Sequence, residues 1–201
     1  MIRLALTGPT GSGKTYFCAL LRAQGVPCLD TDEVVHTLYK DRAFAAKLQR
    51  TLDADILDGD GTVDRAKLRE LLFSNGGAME KLSSVVYPEV RKVCLSFMED
   101  AEKSGAAAAL VDAPQLFEAG FEGDYDLIVA LVAPKKVRMQ RIKARDGITG
   151  KAALARMAHQ MTAREYAARA DLAINNDGKT DLGKAVEALM LKIRRMNGAE
   201  D

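Results

Sequence analysis

The sequence predicts an α/β domain on a doubly wound, five-stranded parallel sheet, and three observations carry that prediction. Five short runs, residues 3–7, 26–30, 108–112, 127–132 and 172–175, are apolar at both parities, the pattern of strands covered on both faces. Helical stretches lie between them, as parallel crossovers require. Finally, Gly8-Pro-Thr-Gly-Ser-Gly-Lys-Thr15 fills the pattern G-x-x-x-x-G-K-[ST] between the first run and the helix-like residues 16–24, which is the context of a phosphate-binding loop.

Each residue type in that loop has a chemical reason. Glycines let backbone amides turn inward around phosphate oxygens, and the following helix presents its positive end to the same anion. Gly8, Gly11, Ser12, Gly13, Lys14, Thr15 and Tyr16 form the expected nucleotide-binding run. Lys14 neutralises β and γ phosphate charge, and the Thr15 hydroxyl meets the Mg²⁺ that accompanies the nucleotide.

The second run ends in Leu29-Asp-Thr-Asp32. Asp30 or Thr31 suits a helix cap, which leaves Asp32 to orient an acceptor hydroxyl and take its proton. Residues 31–107 are too long for one crossover, and apolar positions such as Leu68, Leu71, Leu72, Leu82, Val85 and Val86 mark a helical insertion. Within it Asp58-Gly-Asp-Gly61 and Ser74-Asn-Gly-Gly77 are turns, and Tyr87-Pro88 is a kink or a helix start. Arg69, where a calcium loop needs Glu, excludes that reading of Asp58.

The third run ends in Asp112, a carboxylate placed to act on Mg²⁺ directly or through water. Beyond it, Pro114, Leu116, Phe117 and Glu118 are candidate acceptor contacts, with packing an equal explanation for the two apolar side chains. A second helical segment, residues 135–170, is broken at Asp146-Gly147 and Thr149-Gly150, as a lid requires. Arg138, Arg141 and Arg145 recur there at helical spacing, so their guanidinium groups are expected to converge on one anion. Arg141 is the expected stabiliser of the transferring phosphoryl group. Residues 182–193 carry the apolar stripe of a final surface helix.

Bulk properties narrow the function further. The 201-residue chain, 48% hydrophobic and 28% charged, is expected to be one soluble domain with no membrane partner and a cytoplasmic location. Residues 135–171 hold ten Lys or Arg against three acids within a chain of net charge +1. Only Tyr166 is aromatic in that segment, so a triphosphate fits it better than nucleic acid. Cys18, Cys28 and Cys94 suggest neither disulfides nor zinc, and His36 and His159 lack ligand partners at helical spacing. The oligomeric state is not legible from sequence.

One known succession of segments is similar. Leu6-Thr-Gly-Pro-Thr-Gly-Ser-Gly-Lys-Thr15, Asp30-Thr-Asp32, Asp60-Gly-Thr-Val63 with Leu68-Arg-Glu-Leu-Leu-Phe73, Tyr87-Pro88, Asp112-Ala-Pro-Gln-Leu-Phe-Glu118, Arg141 with Arg145-Asp146, Gln160 and Ala170-Asp-Leu-Ala-Ile-Asn-Asn176 resemble the dephospho-CoA kinase family over essentially the whole chain. The resemblance implies a P-loop fold like that of nucleoside monophosphate kinases. It implies transfer of the ATP γ-phosphoryl group, with Mg²⁺, to the ribose 3′-hydroxyl of dephospho-CoA. Asp32 matches the family's base, residues 31–107 its acceptor-holding insertion, residues 135–170 its lid, and Asn175 with its neighbours its adenine site. The chain departs from the family pattern at Pro9, Thr10, Gln115 and Tyr87, the last standing where histidine is usual. A phenol titrates near 10, so tyrosine can replace a histidine that only donates a hydrogen bond to substrate, whereas activity would suffer if that histidine titrates. Another small-molecule or nucleoside monophosphate kinase is the alternative, and a nucleotide-dependent switch is disfavoured because no Asn-Lys-x-Asp motif is present.

Overall fold

The computed structural model describes residues 1–158 and 160–198; His159 lies outside the described residues. Strands β1 (Ile2–Thr7), β2 (Cys28–Asp30), β3 (Ala108–Asp112), β4 (Leu127–Val132) and β5 (Leu172–Asn175) form one sheet in the order β2-β3-β1-β4-β5. The pairings of β1 with β3, β1 with β4 and β4 with β5 are all parallel. Because β1 is central, the chain runs from it toward one edge and later returns to build the other. That reversal opens a crevice beyond the carboxyl end of β1.

Both faces of the sheet are buried, which is why its strands are apolar at both parities. Ile2, Leu4 and Leu6 of β1 and Leu127, Val129 and Leu131 of β4 join one core with Phe17, Cys18 and Leu21 of α1 (Lys14–Ala23). The last helix, α10 (Leu182–Met196), adds Val186, Leu189 and Ile193 to the same core. Ala5, Ile128 and Ala130, at the opposite parity, are buried as well. At about 25 cal/mol per Å² of apolar surface removed from water, this core is the main favourable term in folding.

The chain separates into two compact units, one of Met1–Leu29 with everything from Phe97 onward and one of Asp30–Ser96. Residues 97–107, read from sequence as part of the insertion, thus cluster with the sheet. Within the Asp30–Ser96 unit, three helix starts are set by aspartates. Asp30 accepts from Asp32 N at the head of α2 (Thr31–Lys40), and Asp41 from Phe44 N at the head of α3 (Arg42–Leu52). Asp64 accepts from both Ala66 N and Lys67 N at the head of α4 (Arg65–Ser74). These bonds satisfy amides that have no partner inside their helices. Asp58 takes Asp60 N and Thr62 N on one carboxylate oxygen and the Thr62 hydroxyl on the other, which closes the expected turn.

Tyr87-Pro88 is not a helix start. Helix α5 runs from Ala78 to Lys103 with Pro88 inside it. Leu82, Val85, Val86, Val90, Cys94, Met98 and Ala101 repeat at three- and four-residue intervals and are all buried, so packing outweighs the local cost of proline.

Asp64→Ala leaves two amides of α4 unsatisfied. It should destabilise the Asp30–Ser96 unit by about 1 kcal/mol, measured as a lower urea midpoint with an unchanged slope, whereas an exposed Glu99→Ala should leave the midpoint in place.

Candidate active site

The phosphate loop joins β1 to α1 and is fixed by three glycines in left-handed backbone. Gly8, Gly11 and Gly13 have φ of 135°, 79° and 99°. A Cβ on Gly8 would stand 2.2 Å from the Leu131 carbonyl oxygen, and one on Gly13 2.5 Å from Asn176 Nδ2. On Gly11 it would meet the Arg138 carbonyl oxygen at 2.9 Å. Conformation and crowding therefore both demand glycine. The Lys14 ammonium donates to Gly8 O at 3.2 Å and lies 3.9 Å from Asp112 Oδ1. The register explains the second contact, since Asp112 is paired with Leu6 next to the loop. Thr15 is exposed at the start of α1, where its hydroxyl can reach a ligand.

The three arginines of α7 (Lys135–Asp146) do not converge. Arg141 Nη1 donates to Gly11 O and Ser12 O at 3.3 and 3.2 Å, and its Nη2 donates to Asn176 Oδ1 at 3.1 Å. Arg145 makes a two-pronged bond to Asp146, Nε to Oδ1 at 2.7 Å and Nη2 to Oδ2 at 3.1 Å. The Asp146 carboxylate, which also binds Arg156, is held below the usual carboxylate range by Arg145. Arg138 is buried. Helical spacing puts the three on one side, but each guanidinium is governed by its nearest surroundings.

Asn176, just past β5, is the residue that joins the loop to the far strands. Its side chain donates to Ser12 O at 2.7 Å, its backbone amide donates to Val132 O at 2.7 Å, and it is buried. Its neighbour Asn175, expected at the adenine site, is exposed at the end of β5. Gly13, Tyr16, Arg141, Asn176, Thr180 and Leu182 line a cavity of about 540 Å³ beside the loop. That space, with a guanidinium in one wall and an apolar side chain in another, suits a flat purine base.

Gln160 also holds the loop, accepting the Thr10 amide at 2.9 Å. It lies between α8 (Gly150–Ala158) and α9 (Ala163–Arg169) in the expected lid. Helix α9 is in turn fastened to the segment after β3. The Tyr166 hydroxyl donates to Pro114 O at 3.3 Å, and the Arg169 guanidinium sits 4.2 Å from the Phe117 ring centroid while binding Glu122 at 2.6 Å. Leu116 and Phe117, named as candidate substrate contacts with packing an equal explanation, are 1% and 6% exposed, both on α6 (Leu116–Ala119), and pack inside. Glu118 is exposed and free to meet a ligand. Asp32 stands in the first turn of α2 and Tyr87 within α5, both in the Asp30–Ser96 unit.

With that geometry in view, the similarities become specific. The family model described as dephospho-CoA kinase matches residues 2–181. The chain belongs to the dephospho-CoA kinase family. A dephospho-CoA kinase of Anaeromyxobacter dehalogenans is 36% identical over 96% of this chain and 89% of its own length, and one of Brucella melitensis is 39% identical over 90% and 89%. Among solved structures, a Thermus thermophilus protein superposes with a TM-score of 0.80 at 33% identity, covering 95% of this chain and 97% of its own. A dephospho-CoA kinase from Campylobacter jejuni gives 0.72 at 24% identity over 97% and 98%. Shikimate kinase from Acinetobacter baumannii gives 0.52 at 16% over 100% and 96%, a likeness of fold.

Asn176 and Gln160 were visible in sequence only as members of the family's pattern; no spacing rule sends either to the loop. The Tyr166 and Arg169 contacts carried no sequence signal at all.

Two outcomes follow. Gly8→Ala should abolish nucleotide binding, measured by titration calorimetry, because its Cβ collides with Leu131 O and forces the loop open; wild-type affinity would show that the loop does not need this fit. Burial pushes the Tyr166 phenol up to about 12. Its neutral form is thus favoured in the fold, a stabilisation complete below the unfolded value near 10 and lost as pH climbs toward about 12. The alkaline fall in stability between those values should be smaller in Tyr166→Phe, measured by urea unfolding at stepped pH.

Proposed function

We propose that this chain transfers the γ-phosphoryl group of ATP to the ribose 3′-hydroxyl of dephospho-CoA, giving coenzyme A and ADP. Its membership of the dephospho-CoA kinase family supports the donor and the acceptor. The observation that carries the chemistry is Lys14, anchored by Gly8 O and facing Asp112 at the head of α1 within a loop that only glycine can form. Acceptors of other P-loop kinases are disfavoured by the family match.

In this reading the loop amides and the N-terminus of α1 hold the phosphates, Lys14 balances their charge, and the base lies against Arg141 and Leu182. Arg141 acts by holding the carbonyls of Gly11 and Ser12, which keeps the loop amides pointed at the phosphates. The ribose oxygen forms a bond to the γ phosphorus while the bond from that phosphorus to the β–γ bridging oxygen breaks. Asp32 aligns the hydroxyl and accepts its proton as the bond forms. Much of the acceleration comes from placing positive charge where the phosphoryl oxygens gain negative charge.

Among the described residues no group of three or more His, Cys, Asp or Glu could hold a metal ion. Thr15 Oγ1 and the Asp112 carboxylate are oxygen donors that suit Mg²⁺ only when nucleotide oxygens complete its shell. Bound there, Mg²⁺ would offset the phosphate charge. No helix among the described residues is long and apolar enough to cross a membrane, and the reading places the enzyme in the cytoplasm, where its ATP donor is abundant.

Incubation with ATP and dephospho-CoA should yield a product heavier by one phosphate by mass analysis, with its new group on the ribose. AMP and shikimate should yield none; phosphorylation of AMP but not of dephospho-CoA would reject the acceptor. Lys14→Ala and Asp32→Asn should each lower kcat by about 10²–10³-fold, with KM for ATP raised only in the former.

A further inference from the structure

The fold brings together two thiols that phosphoryl transfer does not use. Cys18 stands within α1 and Cys28 opens β2, ten positions later, and both are free. The connection between them reverses tightly: the amides of Gln24 and Gly25 donate back to Leu21 O and Arg22 O, and Gly25 takes left-handed backbone at a φ of 81°. Such a turn returns the chain against the helix it has just left, so the two side chains meet. In its neutral form the Cys28 thiol donates to Val26 O at 3.4 Å and reaches Cys18 O at 3.8 Å, and the two sulfur groups hydrogen-bond to each other.

The two thiols are not equivalent. Cys18 is 3% exposed inside the core that α1 shares with the sheet, whereas Cys28 is half-buried and packs at the border of that core. Arg22, one turn beyond Cys18, donates to Cys28 O at 3.1 Å and so keeps a guanidinium beside the outer sulfur. The hydrogen bond from Cys18, helped by Arg22, holds the Cys28 thiol below its ordinary value against burial and the Asp112 carboxylate. The same hydrogen bond, together with burial, pushes the Cys18 thiol up. One sulfur is therefore the better nucleophile and open to solvent, and the other is a neutral thiol in contact with it. That asymmetry divides the work between an attacking and a resolving cysteine.

We propose that Cys28 and Cys18 are a modification site for hydroperoxides, closing to an intramolecular disulfide that ties α1 to β2. The Cys28 thiolate attacks one peroxide oxygen, the O–O bond breaks, and the leaving alkoxide takes up the proton that Cys28 gave up on ionising. Cys28 is then a sulfenic acid. The Cys18 sulfur bonds to the Cys28 sulfur and displaces its hydroxyl, which leaves as water with the Cys18 proton. Two thiols lose two electrons in all, and the hydroperoxide is reduced to an alcohol and water. A thiol reductant reopens the bond by exchange, so in a reducing compartment it is transient, as a sensor requires. Lys14 and Thr15 lie one turn ahead of Cys18, and Asp30 ends β2. The cross-link thus joins the helix carrying the phosphate-loop lysine to the strand that leads to Asp32. The site is independent of which acceptor the chain phosphorylates.

The test exposes the whole reduced chain to hydrogen peroxide at neutral pH and counts surviving thiols by maleimide alkylation in denaturant. Wild type should fall from three alkylated cysteines to one, Cys94. The tryptic peptides separated by cleavage at Arg22 should stay joined through Cys18 and Cys28, and dithiothreitol should restore all three thiols. Cys28→Ala should slow thiol loss by about 10-fold or more. Cys18→Ala, which removes only a buried sulfur, should accumulate Cys28 sulfenic acid, trapped as a dimedone adduct that wild type forms only fleetingly. Retention of three thiols in wild type, under peroxide that oxidises an unstructured cysteine peptide, overturns the proposal. So does loss of Cys94 first, or a dimer linked through Cys28 of two chains whose yield rises with protein concentration.

Discussion

The site depends on a backbone conformation that the rest of the protein has to hold open for an anion. Amides turned inward around an empty centre repel one another, and a loop with three left-handed glycines loses much conformational entropy when ordered. It is held from several directions at once. Leu131 of β4 and Arg138 of α7 press on Gly8 and Gly11, Asn176 and Arg141 bind the carbonyls of Gly11 and Ser12, and Gln160 takes the Thr10 amide. By binding the carbonyls of Gly11 and Ser12, Arg141 and Asn176 spare those groups from turning toward a phosphate.

The same contacts explain the division of labour on α7. Three arginines on one helix cannot serve one anion when a loop, a carboxylate and a cavity compete for them. Arg141 shapes the loop and Arg145 pairs with Asp146, tying α7 to Arg156 of α8, while Arg138 remains in the low-dielectric interior. Helix α9 adds a further link, because Tyr166 and Arg169 grip Pro114, Phe117 and Glu122 after β3. Residues 163–169 are thereby tied to the segment that bears Glu118.

Much of this was legible in the chain. The β3, β4 and β5 boundaries, the Asp58 turn and the cap at Asp30, one of the two residues that suited it, follow from short-range rules, since hydrophobic period, turn chemistry and capping act within a few residues. Of the two readings of Pro88, the helix start fails because a buried stripe running the length of α5 carries the helix through it. Spacing set the direction of the α7 arginines but not their partners, and within the segment of Asn175 and its neighbours only the folded chain brings Asn176 to the loop and leaves Asn175 exposed.

By itself the sequence determined the sheet, the loop and the chemistry the loop serves, because glycine, lysine and threonine at that spacing have meaning before any folding occurs. Tertiary structure alone decided which side chains support the loop, that Leu116 and Phe117 are core, and that Arg138 lies buried without a countercharge. Such facts belong to contacts between residues separated by as many as 164 positions in the chain, and burial sets their electrostatic weight.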